Sequence, residues 1–208
     1  MAIVGASYTA GVGPDNPELS WAAVLARKLR WSAVIYGVSG AGYVRPGKGD
    51  LGPVRRLLKA EGLHRLAPAL VIIQAGHDDG SVAGNIERQQ VERTVALIRA
   101  QSPHARIALL TVFTGPARPV SAKLVRIDKV IVRAARAVDP NVIIMDPLAG
   151  DWKYARAHHG LHPTAAGDAW IGRKVATILR AHGIDPQPPA GSTPLVCIRA
   201  VGDGTASA

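Results

Sequence analysis

Two hydrophobic patterns alternate along the chain. Short, continuous apolar runs fall at residues 2–5, 33–36, 69–74, 106–113 and 142–145. They lack the in-out alternation of a half-exposed strand, so they predict strands buried on both faces. Longer segments between them carry apolar residues every three or four positions, the period of a helix with one buried face. Residues 16–30 present Trp21, Val24, Leu25 and Leu29, with Asn16 as a cap and Pro17 at the first position. Residues 51–63 turn Val54, Leu57 and Leu58 inward, and residues 85–101 present Val91, Val95 and Ile98. Residues 122–137 carry Leu124, Ile127, Val130, Ile131 and Ala134, and a last helix over 163–182 is stopped by Gly183.

Strands that alternate with helices in this way predict an α/β layering, with a parallel sheet covered on both faces. Right-handed crossovers then leave few topologies, and ligands collect beyond the carboxyl ends of the strands. Residues 1–184 read as one domain. Residues 185–208 read as a Pro- and Gly-rich tail, irregular, with residues 195–201 strapped along the sheet or a helix.

Composition narrows the function classes. Of 208 residues, 48% are hydrophobic, enough for a sizeable core. The net charge is +10, from 25 basic and 15 acidic residues. The basic residues are scattered over helix faces without interleaved aromatics, which argues against nucleic acid as a partner. Cys197 is the single cysteine, so neither an internal disulfide nor a cysteine-based zinc cluster is expected. No stretch is apolar enough for stable membrane insertion. No signal peptide is legible; with the first strand opening at residue 2, removal of an upstream leader or anchor stays compatible with the chain, and its location is open.

The chemistry-bearing residues form four blocks. Gly5-Ala6-Ser7-Tyr8 follows the first strand, where a serine is exposed at the sheet edge. Taken alone, a turn-stabilising serine is the simpler reading. Val38-Ser39-Gly40-Ala41-Gly42 follows the second strand, and its glycines let backbone N–H groups approach a ligand. It lacks the three-glycine spacing of a dinucleotide site. Gly76-His77-Asp78-Asp79 follows the third strand and reads equally as an Asx turn or as a pocket lining. His158-His159-Gly160-Leu161-His162-Pro163 leads into the last helix. A histidine there suits proton transfer near neutrality. The three histidines also fit a metal, although such sites usually recruit Asp, Glu or Cys at regular spacing.

Together the blocks resemble the SGNH hydrolase superfamily of GDSL-like lipases and esterases, over residues 2–182. That family carries Gly-Asp-Ser after strand one and a Gly after strand two. It carries Gly-x-Asn-Asp after strand three and Asp-x-x-His-Pro before the last helix. Here these stand as Gly5-Ala6-Ser7, Gly40, Gly76-His77-Asp78-Asp79 and His159-Gly160-Leu161-His162-Pro163. The resemblance implies a three-layer α/β/α sandwich, flavodoxin-like, around a five-stranded parallel sheet. It implies a serine esterase for short-chain carboxylic or O-acetyl esters, working through an acyl-enzyme on Ser7 with His162 as base. The N–H groups of Ser7 and Gly40 would stabilise the oxyanion. The substrate would be a small-molecule or glycan ester, with no cofactor and no metal, and the oligomeric state is left open.

Three positions depart from the family. Ala6 replaces an Asp. Asp78 stands where the family's oxyanion-donating Asn would be, and a carboxylate donates nothing unless protonated. His159 stands where the family has the Asp that orients the histidine, leaving His159, Asp151 or Asp146, or a backbone carbonyl, as the orienting partner of His162. A non-catalytic carbohydrate- or lipid-binding module, or a glycan O-acyltransferase, on the same fold are the alternatives these departures keep open.

Overall fold

The structure is a computed structural model that describes residues 1–113, 120–157, 160–186 and 193–202. Its strands are β1 (Ala2–Gly5), β2 (Ala33–Val38), β3 (Leu70–Gln74), β4 (Arg106–Leu110), β5 (Ile143–Met145) and β6 (Val196–Val201). Its α-helices are α1 (Ser7–Ala10), α2 (Trp21–Leu29), α3 (Val54–Glu61), α4 (Leu63–Leu66), α5 (Gly84–Gln101), α6 (Ala122–Val138) and α7 (Ala165–Ala181). The strands form one sheet in the order β5-β4-β3-β1-β2-β6, every pair parallel.

Successive side chains of a strand point to opposite faces, so each continuous apolar run supplies two cores at once. Ile3, Ile35 and Ile72 join Trp21, Leu25 and Leu29 of α2 and Ile171, Val175 and Leu179 of α7 on one face. Val4, Val71, Ile73 and Leu109 join Val54 and Leu58 of α3, Val91 and Val95 of α5, and Ile127 and Ile131 of α6 on the other. The expected three-layer sandwich is therefore present.

The sheet has six strands, where five were expected. β6 lies in the segment read as an irregular tail and pairs with β2, Val196 opposite Ala33 through Val201 opposite Val38. Its residues are half-buried or exposed, as on the edge of a sheet, so the continuous apolar signal is missing. Other boundaries shift by local chemistry. The helix over 51–63 breaks at Gly62, whose φ of 62° caps α3. Asn16 and Pro17 start a short 3-10 turn, and Ser20 caps α2 by accepting from Ala23 N at 3.4 Å. Pro163 lies just outside α7, which Thr164 caps by accepting from Gly167 N at 3.2 Å.

The chain order reverses between β1 and β3, the kind of switch point where the carboxyl ends of parallel strands leave a crevice. Register aligns the ends there: Gly5 is level with Gly37 on one side and Gln74 on the other.

Two acids are buried in the helices around this frame, and one of them joins two helices. Asp168, in the first turn of α7, accepts from Trp21 N at 2.8 Å and joins the start of α2 to α7. Burial raises its pKa to about 8. Glu87 of α5 is fully buried, and burial, reinforced by the charge of Asp79, pushes its carboxyl up to about 9. Between the ordinary 4.5 and about 9, the folded chain holds a proton on Glu87 that the unfolded chain releases. This contribution to stability is therefore complete below the lower value and is lost as pH rises through the upper one. The melting temperature should fall between pH 5 and pH 9, and Glu87→Gln should fall less over the same range; thermal unfolding followed by circular dichroism checks both.

Candidate active site

The turn after β1 is tied to β3. Ala6 N donates to the Gln74 backbone oxygen at 3.1 Å and to Gln74 Oε1 at 3.1 Å. Thr9 Oγ1 donates to the same Oε1 at 3.0 Å. Gln74, the one polar residue ending an apolar strand, thus sets the direction in which the chain leaves β1, and Ser7 opens α1 at the sheet edge. The polar end of the run ALVIIQ was the sequence signal for this role.

His162 arrives from the opposite end of the chain. Its loop is held as a narrow hairpin: Ala157 N donates to His162 O at 2.9 Å, and Thr164 N donates to Ala155 O at 3.0 Å. The imidazole Nε2 lies 2.8 Å from Ser7 Oγ. Ser7 is 7% exposed and His162 8%, so the contact is shielded from bulk water. With its proton on Nδ1, the imidazole can accept the serine proton at Nε2.

The block after β3 divides into two roles. Asp78 is half-buried and lines the cleft. Asp79 is fully buried and accepts from Tyr43 N at 2.6 Å and Arg45 N at 3.0 Å, tying down the loop after β2. Burial raises its pKa, opposed by these hydrogen bonds. The backbone closes on it so tightly that a Cβ on Gly42 would stand 2.1 Å from its Oδ2. The anchored loop carries Gly40 to the cleft with φ 75°, a conformation that costs a residue with a Cβ. The anchoring role of Asp79 was not legible in sequence, because Asp78 and Asp79 are chemically alike and only burial separates them.

The cleft has room for about 170 Å³. Ser7, Ser39, Gly40, His77, Asp78 and His162 line it, with Gln74 and Leu161 beside them. His77 Nδ1 lies 3.1 Å from the Phe113 carbonyl oxygen, to which it donates. The four candidates Ser7, Gly40, Asp78 and His162 are thus brought together. Of the suggested orienting residues, Asp146 and Asp151 are not among those lining the cleft. Asp146 accepts from Ala149 N at 2.8 Å within its own turn and neighbours Asp128. Asp151 is exposed and pairs with Lys153 at 3.4 Å. His159 lies outside the described residues. Among the described residues, no three His, Cys, Asp or Glu side chains group as a metal site, and no helix is long and apolar enough to cross a membrane.

Comparison with known proteins bears on the same residues. The family model of the GDSL-like lipase/acylhydrolase family matches residues 3–170. No curated protein matches the chain. Among solved structures, a carbohydrate esterase family 2 enzyme with a carbohydrate binding domain from Corynascus thermopiles (Myceliophthora fergusii) superposes with a TM-score of 0.71 at 20% identity, covering 88% of this chain and 66% of that one. A family two carbohydrate esterase from Clostridium thermocellum, in complex with cellohexaose, gives 0.67 at 19% identity, covering 88% and 64%. The chain therefore spans about two thirds of the length of these two esterases. TesA gives 0.66 at 23% identity, covering 86% of this chain and 97% of that one. At these identities the structures speak for the fold alone, while the family model takes in all four blocks up to His162 and the start of α7. The chain belongs to the GDSL-like lipase/acylhydrolase family and is a hydrolytic esterase.

Proposed function

We propose that the protein hydrolyses short-chain carboxylic or O-acetyl esters, of a small molecule or a glycan, through an acyl-enzyme on Ser7 with His162 as base. The observation that carries this reading is the 2.8 Å contact between Ser7 Oγ and His162 Nε2 inside the cleft. Ser7 Oγ attacks the ester carbonyl carbon while Nε2 takes its proton. The N–H groups of Ser7 and Gly40 stabilise the resulting oxyanion. Collapse expels the alcohol, which leaves with the proton held by His162, and water then releases the acid by the same steps in reverse.

The cleft volume of about 170 Å³ supports a short acyl group. The carbohydrate-esterase neighbours support a glycan ester among the candidate substrates. Asp78 tempers the rate in this reading: while ionised, a carboxylate in the family's Asn position donates nothing and opposes the charge that develops on the oxyanion. That same feature is what favours the second reading, a binding module with little turnover.

Two outcomes test the proposal. Wild-type protein should hydrolyse p-nitrophenyl acetate and react with a fluorophosphonate probe, and Ser7→Ala should do neither, with a rate loss of about a thousandfold or more. A folded wild type that neither turns over nor labels would favour the binding module. Asp78→Asn should raise kcat by about tenfold, part of the hundred- to thousandfold that one oxyanion donor commands; steady-state rates at pH 7 check it.

A further inference from the structure

Ser7 is followed by Tyr8, whose ring is almost completely buried and lies 5.5 Å, centroid to centroid, from the His162 imidazole. It stacks on Phe113 with centroids 4.1 Å apart and planes 10° from parallel. Packing of that kind asks only for a phenyl ring. The hydroxyl does something else: it donates to the Leu161 carbonyl oxygen at 2.6 Å. A hydroxyl has one proton, so in the 3.0 Å contact between Tyr8 and Tyr154 it is Tyr154 that donates. Tyr154 O–H to Tyr8 O–H to Leu161 C=O is then a directed chain, in which each bond polarises the next. Burial raises the pKa of the Tyr8 hydroxyl, so it keeps its proton throughout the working range.

Two consecutive residues of α1 thus grip two consecutive residues of the histidine loop, Ser7 on His162 and Tyr8 on Leu161. The two grips differ in one respect that matters for turnover. Once Ser7 is acylated, its Oγ has no proton left to donate, and its bond to Nε2 is gone. The Tyr8 bond is untouched by the chemistry.

We propose that Tyr8 is a positioning residue that keeps His162 in place during deacylation, through its hydroxyl bond to the Leu161 carbonyl. The inference rests on the Ser7–His162 reading above. In the deacylation step water attacks the acyl carbon and gives its proton to Nε2, and Ser7 Oγ leaves and takes that proton back. Nε2 must therefore stay within reach of the acyl group at the stage when serine no longer holds it.

The experiment separates the two half-reactions. Wild type, Tyr8→Phe and Tyr154→Phe are mixed with p-nitrophenyl acetate, and acylation is read from the first turnover of p-nitrophenol. Excess ester is removed, and loss of the acetyl group from Ser7 is followed by intact-protein mass spectrometry. Phenylalanine keeps the stack on Phe113. Tyr8→Phe should slow deacylation by about tenfold while acylation stays within about threefold of wild type. Tyr154→Phe, which spares the bond to Leu161, should slow deacylation less than Tyr8→Phe. Deacylation within twofold of wild type in Tyr8→Phe overturns the inference. So does equal slowing of both steps, or loss of the folded state by circular dichroism, since these are the marks of a general structural role. A wild type that never acetylates on Ser7 overturns the underlying reading as well, whereas normal acetylation with an indifferent Tyr8→Phe overturns this inference alone.

Discussion

β1 is four residues long, yet it is hydrogen-bonded to β2 on one edge and to β3 on the other, with Gly5 level with Gly37 and Gln74. The rest of the cleft depends on this double pairing. It fixes where three strands stop, and therefore where three loops begin. A slip of one residue would turn every side chain of β1 to the wrong core and carry Ser7 away from His162. Gln74 reinforces the register at the carboxyl end of β1 by accepting from both Ala6 N and Thr9 Oγ1. The contact between Ser7 and His162, residues 155 apart in sequence, is the outcome of that register and of α7 packing back beside α2.

Buried polar groups provide the second level of order. An apolar core fills space without choosing among loop conformations, whereas a buried carboxylate must meet its donors or pay heavily for desolvation. Asp79 meets its need with the backbone of residues 43 and 45, so the loop after β2 has one low-energy path. Asp168 does the same for the entry to α2. The charge of Asp79 beside Glu87 adds to burial in favouring a protonated Glu87, so the two acids share one buried region without two like charges meeting there. Beside Ser7, the rings of Tyr8, Phe113, Tyr154 and Trp152 pack on one another, and Tyr8 carries that packing to Leu161 and His162 of the histidine loop. Such rings offer large contact area and, for tyrosine, a hydroxyl that seeks a partner when buried.

Much of the architecture was determined by the sequence alone. Short continuous apolar runs rich in Val and Ile and bounded by turn residues favour strands covered on both faces, and helical spacing between them supplies the cover, so the layered α/β fold follows from burial of hydrophobic surface. Ser7, Gly40, Asp78 and His162 were legible because each lies directly after a strand or directly before the last helix, where local signals of turn and cap are strong. Three things were decided only in the tertiary structure. β6 is half-exposed, so its place at the edge beside β2 comes from hydrogen bonds to a partner about 160 residues away rather than from its own pattern. Asp78 and Asp79 are identical in composition and neighbouring in sequence; burial alone makes one a cleft wall and the other a loop anchor. Tyr8 is one more apolar residue in a short turn until the Leu161 carbonyl is brought to its hydroxyl. Local sequence encodes which segments can be strand, helix or turn, whereas the partners of a polar atom depend on which distant segments packing brings within hydrogen-bond reach.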